Sequence, residues 1–445
     1  MARRLNELNI WLNGEFVGVW RRKGGREELK YDEAWVKSER GRPLSLSLPF
    51  TPGNQMLRGE VVQYYFDNLL PDSHGIRERL ANKFGANNAS PFDLLVELGR
   101  DCVGAVQLLK PGEVPEDVDT INCEPLEEAK VADILRTTVS GIPLSHGDRD
   151  GELRLSLAGA QEKTALLWHD EQWCLPLGVT PTTHILKLPL GLVGHMKVDM
   201  SESVENEWLC LKIVEAFGLP VANCEMAQFE DQKTLVVERF DRKLASDGSW
   251  IIRIPQEDMC QAKGISPLLK YQCDGGPGIA DCMRVLDGSL AALEDKQIFF
   301  AAQIIFWMLY ATDGHAKNFS IQHRSKDKYE LAPLYDVLSA LPIIGKKHGQ
   351  IAEQKARLAM AIRGSHNHYL INQIQRRHFI KQATQFGFTT DVANSLIESV
   401  INKTEQVINE VGAMLPEQFP YTVADRIFNG LQKQSNKLAR NVKLS

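Results

Sequence analysis

The sequence predicts an α+β chain built as two lobes, sheet first and helices later. Three observations carry this. Asn13-Gly14 sits between two alternating runs near the start, the strongest short-range hairpin signal. From Leu153 to about residue 255 the apolar residues fall in short, strand-length stretches broken by Gly and Pro. From Leu290 onward they recur at helical spacing. At 445 residues, 43% hydrophobic and 24% charged, the chain is an ordinary globular composition with room for two or three cores.

The elements follow in order. Leu8–Leu12 and Glu15–Trp20 flank the Asn-Gly turn, and Leu44-Ser45-Leu46-Ser47-Leu48 alternates strictly until Pro49, which predicts a half-buried strand. Helical patterns at Glu60–Leu70 and Pro91–Leu98 complete a small α+β unit over 1–110. Residues 111–150 read as a connector, its first part (Pro111–Glu128) rich in Pro, Glu and Asp. A β-rich part over 151–255 holds strands at Leu153–Leu157, Thr164–Trp168, Thr183–Leu188 and Thr234–Phe240, with one helix over Glu202–Phe217 stopped by Gly218 and Pro220. The remainder, 256–445, reads as helical, with helices expected at 294–311, 352–362, 371–386, 390–415 and 422–433. No internal repeat or low-complexity tract is present.

Composition narrows the function. A net charge of −6 argues against a chain that coats nucleic acid over its whole surface, while leaving room for a local basic patch. Met1-Ala2-Arg3-Arg4-Leu5 has no apolar run behind it, unlike a secretory signal. The apolar run Ile298–Ala311 contains Gln303 and is too short to span a bilayer. Eight scattered cysteines without a C-x-x-C pair fit reduced thiols, so the cytoplasm is expected. The histidines of the C-terminal half show no zinc-ligand spacing, and no G-x-S-x-G nucleophile pattern occurs.

Chemistry concentrates in Asp313-Gly314-His315-Ala316-Lys317-Asn318, a carboxylate and a carboxamide five residues apart, followed by Leu334-Tyr335-Asp336, whose acid lies eighteen residues after Asn318. Acid, amide and second acid in that order suit phosphoryl transfer: the first acid meets the attacking hydroxyl, and the amide and second acid hold Mg²⁺ against phosphates. Asp313 follows directly on the apolar run Ile298–Ala311 and Asp336 lies between apolar neighbours, and two carboxylates held near each other in a core repel unless a cation neutralises them. Upstream, Ser156–Lys163 is a strand–turn–strand with small residues at its tip, a plain turn or an anion nest. Lys187 interrupts the apolar strand Ile185–Leu188, either as an edge lysine in solvent or as a phosphate contact steadied by Glu207 or Glu205. Glu238-Arg239-Phe240-Asp241-Arg242 ends a strand, either as a salt-bridged terminus or as the hinge facing an adenine edge.

With these pieces in order, the chain resembles the HipA-type toxin kinases nearly end to end. The likeness lies in Leu46–Pro49, Asn68–Pro71, Leu157–Thr164, Gly178–Lys187, Val237–Arg242, Pro255–Asp258, Thr312–Ser320 and Pro333–Ser339. The resemblance implies a bacterial serine/threonine protein kinase from a toxin–antitoxin pair. Its fold would be two-lobed and protein-kinase-like, related to the phosphoinositide lipid kinases, with a β-rich N-terminal and an all-α C-terminal lobe. It makes Asp313 the base, Asn318 and Asp336 the Mg²⁺ ligands, and Lys187 the phosphate contact. Ala158, Gly159, Ala160, Gln161, Glu162 and Lys163 would form the phosphate loop, and Glu238, Arg239 and Phe240 would meet the adenine. His315, Lys317 and Tyr335 would join them around the ATP. Ser156 matches an autophosphorylated serine, whose modification adds nearly two negative charges beside the ATP phosphates. Glutamyl-tRNA synthetase is the implied target, and a HipB-like helix-turn-helix antitoxin that binds operator DNA the implied partner. Arg376, Arg377 and Lys381 on one helix, and Lys433, Lys437, Arg440 and Lys443 in the tail, are candidate phosphate contacts to that DNA or simply a solvated face. A kinase with a small-molecule acceptor and a catalytically weak corepressor are the alternatives.

Overall fold

A computed structural model describes residues 5–138, 155–159, 161–194 and 196–440. The chain forms two compact units, the first from Met1–Leu188, Ala227–Leu268 and Ser320–Tyr329, the second from Pro189–Met226, Leu269–Phe319 and Glu330–Ser445.

The first unit opens with a five-stranded antiparallel sheet in the order Leu57–Arg58, Arg26–Tyr31, Glu15–Lys23, Glu7–Leu12, Val106–Leu109. The Asn-Gly turn adopts φ 47° and 82°, the doubly positive pair that a tight hairpin needs. Gly18 is required by space: a Cβ there would stand 2.2 Å from the Lys30 carbonyl oxygen. Alternate strand residues bury Leu8, Ile10, Leu12 and Trp20 against the helices Glu60–Asp67 and Pro91–Leu98. Trp20 stacks on Phe66 at 3.9 Å and meets Phe92 edge-on at 4.8 Å.

Leu44–Leu48 is not a strand. Its alternation buries Leu44 and Leu48, but the backbone turns, and its polar groups bond to side chains and to a carbonyl of the helix Met259–Lys263 instead of a neighbouring strand. Ser45 and Ser47 Oγ both donate to the Gln261 carbonyl (3.2 and 2.7 Å), and the Leu46 amide donates to Glu257 Oε1 at 2.9 Å.

The unit's second sheet has six strands, in the order Cys224–Phe229, Gln232–Glu238, His184–Lys187, Lys163–His169, Gln172–Pro176, Cys123–Pro125. The expected connector is thus structured in part. Cys123–Pro125 adds an edge strand, and the helix Glu128–Thr138 lays Val131, Ala132 and Leu135 on Leu166, Leu186 and Val236. A short parallel pair joins Asp101–Cys102 to Leu155–Ser156.

In the second unit, helices Ser203–Ala216, Ile279–Leu286, Ala292–Leu309, Arg376–Gln385, Thr390–Ala413 and Tyr421–Arg440 dominate. The expectation of an all-α C-terminal part fails in two places. Gln256–Asp258, Ser320–His323 and Tyr329–Leu331 form a three-stranded sheet that falls almost wholly in the first unit, and the stretch expected as a helix over 352–362 is instead a short 3-10 turn, Glu353–Lys355, and a strand, Arg357–Arg363, paired with Asn367–Leu370. Leu358–Ile362 is buried at every position, so its apolar run carries no period that separates helix from strand. Among the described residues no helix is long and apolar enough to cross a membrane.

Candidate active site

The residues singled out from the sequence divide between the two units. In the second, helix Ala292–Leu309 is buried almost completely from Phe299 on, and Tyr310 ends it in the left-handed conformation at φ 53°. The chain then turns sharply. Gly314 packs so tightly that a Cβ would lie 2.7 Å from Phe306 Cδ2. The Asp313 carbonyl is the hub of the loop, accepting from the His315 amide (2.7 Å) and from Asn318 Nδ2 (2.8 Å), while the Asn318 amide donates to the His315 carbonyl (2.9 Å). With Nδ2 committed, the buried Asn318 offers its Oδ1 as an acceptor.

Asp313 itself departs from expectation. Its side chain is 54% exposed, not held in a core, so its carboxylate needs no cation to tolerate its surroundings. It is oriented by Tyr271, whose hydroxyl donates to Oδ1, and by His315, whose Nε2 lies 3.8 Å from the same oxygen. The Tyr271 and His315 rings meet edge-on at 5.0 Å. Sequence reasoning missed Tyr271, which lies 42 positions upstream in an irregular segment.

The second acid is tied to this loop. Tyr335 Oη donates to the Lys317 carbonyl at 2.7 Å, joining the segment next to Asp336 to the one next to Asn318. Leu334 exchanges backbone bonds with Pro220 and Ala222 (both 2.8 Å). Beyond Asp336, Ser339 is gripped by Asn206 through paired 2.8 Å bonds and donates its hydroxyl to the Leu309 carbonyl at 2.5 Å. Asn206 is another residue the sequence reading missed. Asp336 sits half-buried at φ 59°, a conformation costly for most side chains. On the same helix as Asn206, Glu205 and Glu207 are both buried, so burial does not choose between them.

In the first unit, Lys187 lies on an inner strand of the six-stranded sheet and is only 6% exposed, which rules out the solvent-edge reading. It pairs directly with Lys163 across the ladder. Like charges directly opposite on one face are unfavourable unless an anion meets them. Lys163 leads back to the small-residue turn, its Nζ donating to the Ala158 carbonyl at 2.7 Å. Gly159 takes φ 109° and accepts the Asp72 amide at 3.0 Å. Gln161 Nε2 donates to the Leu188 carbonyl (2.5 Å) and Glu162 pairs with Arg79, so these two side chains brace the turn instead of lining it. Ala160 lies outside the described residues; Ser156 is described in its backbone alone, which pairs with Cys102.

The strand end at 238–242 corrects one assignment. Glu238 is exposed, opposite His184, and the Phe240 carbonyl accepts from Gln322 Nε2 at 3.0 Å. Arg239 is buried. Its amide donates to the Thr183 carbonyl (2.8 Å), its carbonyl accepts from the Arg242 amide (3.0 Å), and its guanidinium is bonded to Asp241, Thr182 and Cys102. With its amide and guanidinium N–H groups all engaged, Arg239 has no donor left for an adenine. The salt-bridged reading holds for it, leaving Glu238 and Phe240 as candidates.

The basic patch is also smaller than expected. Arg376 is buried against Asn394 and Glu398, whereas Arg377 and Lys381 are exposed. Lys433 pairs with Glu353, and Lys437 donates to the Asn372 carbonyl (2.9 Å) over the Trp307 ring. Arg440 is exposed, and Lys443 lies outside the described residues.

Comparison with known proteins gives a consistent picture. Residues 8–109 match the HipA N-terminal domain and residues 155–408 the HipA-like C-terminal domain. Over 341 residues, 75% of this chain and 77% of the other, it is 37% identical to the Sinorhizobium fredii protein named "Putative kinase Y4mE". It is 26% identical over 403 residues to the serine/threonine-protein kinase toxin HipA of Shewanella oneidensis, spanning 87% of this chain and 84% of that one. Its fold matches a chain in the solved complex of Shewanella oneidensis HipA, HipB and operator DNA, with a TM-score of 0.78 at 22% identity and 97% of each chain covered.

Proposed function

Because this chain belongs to the HipA family, we propose that it is an ATP- and Mg²⁺-dependent serine/threonine protein kinase, the toxin of a toxin–antitoxin pair. The observation that carries the reading is the Asp313–Asn318 loop, closed on the Asp313 carbonyl and bonded through Tyr335 to the segment holding Asp336. One braced piece of backbone thus carries Asp313, Asn318 and the segment of Asp336, which supports reading them as base and metal ligands.

Asp313 is the base. Its exposed carboxylate can receive an acceptor hydroxyl, and Tyr271 and His315 hold its orientation. Asn318 Oδ1 and the Asp336 carboxylate are hard oxygen donors of the kind Mg²⁺ takes. Among the described residues no cluster of three or more His, Cys, Asp or Glu could hold a metal alone. Two protein oxygens completed by phosphates and water fit Mg²⁺, which would neutralise charge on the phosphates. Lys187 and Lys163, paired on one sheet face, bind phosphate oxygens; backbone around Ala158 and Gly159 joins them, and Glu238 and Phe240 contact the adenine.

Finer features rest on the family likeness. Ser156 is the site of self-inactivating phosphorylation and glutamyl-tRNA synthetase the target. A HipB-like antitoxin carries the kinase to operator DNA, where the complex represses its operon and Arg377, Lys381 and Arg440 are exposed cations available for phosphate contact. The test is incubation with Mg²⁺ and γ-labelled ATP beside the Asp313→Asn variant, with labelled sites mapped by mass spectrometry. Label on a serine or threonine of wild type alone supports the assignment. ATP bound by both without transfer, in the presence of candidate targets, would favour the corepressor reading.

A further inference from the structure

A heavily charged interior site in the first unit lies outside the groups assigned above. Arg239, Arg242, Arg253, Asp101 and Asp241 are all buried, three guanidiniums around two carboxylates. Asp101 accepts from Arg242 Nη2 (2.8 Å), Thr182 Oγ1 (2.7 Å) and the Thr182 amide (3.1 Å), with Arg239 and Arg253 at 3.4 Å. Asp241 accepts from Arg239 Nε and Nη2 (3.0 and 2.9 Å) and from the Gly104 amide (2.7 Å). The Cys102 carbonyl takes Arg239 and Arg242, and the Gly104 carbonyl takes Arg242 Nη1 at 2.7 Å. Gly104 allows the close approach: at φ +74° its Cβ would stand 2.9 Å from the Gln256 backbone.

Such a cluster is a poor source of stability, because desolvating the charges offsets most of their attraction; fixed geometry is its better-attested yield. What it fixes here is specific. The loop Asp101–Gly104 belongs to the N-terminal domain, and its partners Arg239, Asp241 and Arg242 bracket Phe240 and follow Glu238. The same loop pairs with Leu155–Ser156, the strand entering the small-residue turn.

We infer that Asp101 is a positioning residue for the nucleotide: the 101–104 loop of the N-terminal domain clamps the 238–242 segment in the register that recognises adenine. The inference rests on the kinase reading above. Asp101 touches no substrate; it acts through Arg239 and Arg242 on the backbone of Glu238 and Phe240.

The test measures, on the full chain with Mg²⁺ and well below its melting temperature, binding of a fluorescent ATP analogue and of inorganic tripolyphosphate. Wild type is compared with Asp101→Asn and with Thr182→Val, which deletes the hydroxyl between Asp101 and Arg239 without changing charge. Expected is a loss of about tenfold or more for the ATP analogue with tripolyphosphate held within about twofold, because only the adenine end loses its register. Equal losses for both ligands, or no loss for either, would overturn the clamp. Should Asp101→Asn fail to fold, Thr182→Val decides by the same comparison. If wild type binds neither ligand, the kinase reading itself falls and takes the clamp with it.

Discussion

Asp336 offers a prediction in which stability and activity run in different orders. Its φ of 59° lies in the left-handed region, where an ordinary L side chain costs roughly 1–2 kcal/mol, Asn and Asp less, and Gly nothing. Asp336→Asn keeps a residue suited to this backbone and should leave stability within about 0.5 kcal/mol. Asp336→Ala keeps the Cβ and loses the short polar group, so it should lose about 1 kcal/mol. Asp336→Gly relieves the strain but adds unfolded-state freedom of about 0.5–1 kcal/mol, bringing it back near wild type. In melting temperature 1 kcal/mol corresponds to roughly 2–4 °C for a unit of this size. Mg²⁺-dependent ATP binding should rank otherwise. Only Asp supplies an anionic ligand, so all three variants should weaken by about tenfold or more. Thermal melting and metal titration with ATP, run on the same samples, separate the two orders. An Ala variant as stable as the Asn one would refute the strain argument, and a Gly or Asn variant with wild-type metal dependence would remove Asp336 from the ligand set.

Three further outcomes follow from particular contacts. Tyr271→Phe removes only the hydroxyl that orients Asp313; turnover should fall about tenfold with KM for ATP unchanged, and steady-state kinetics showing no change would make that contact idle. Trp20→Ala should cost about 3–5 kcal/mol in urea unfolding, because the ring is fully buried between Phe66 and Phe92; a loss below about 1 kcal/mol would mean that this core is not cooperative with the rest of the first unit. Burial pushes the Asp93 carboxyl up, but Ser90, Asn87 and Arg22 outweigh it and hold it at about 2. A carboxylate depressed in the folded state stabilises above its ordinary range and loses that contribution as pH falls toward about 2, so Asp93→Asn should flatten the acid limb of the denaturation midpoint. An unchanged limb would place the acid sensitivity elsewhere.

Much of the architecture was legible because it rests on local rules. The Asn13-Gly14 hairpin, the Pro91–Leu98 helix and the helices from Ala292 onward follow from turn chemistry and apolar period, which neighbouring residues impose on one another. The motif Asp313–Asn318 was legible for the same reason: its hydrogen bonds close within six residues. Where a local pattern had two physical solutions, the sequence could not choose. Leu44–Leu48 alternates like a strand, yet its partners are the Gln261 carbonyl and the Glu257 carboxylate, more than 200 positions away. Arg357–Arg363 is apolar on both faces and fits either helix or strand until Asn367–Leu370 lies beside it.

Charged residues show the division most clearly. Sequence by itself determined that Lys187, Arg239, Arg376 and Asp313 carry charge; it did not determine what each charge meets. Tertiary structure buried Lys187 opposite Lys163, enclosed Arg239 among carboxylates, turned Arg376 onto Asn394 and Glu398, and left Asp313 exposed under the Tyr271 hydroxyl. The physical reason is range. Propensity and periodicity act over a few residues, whereas desolvation and ion pairing depend on whichever distant segments the fold brings within a few ångströms.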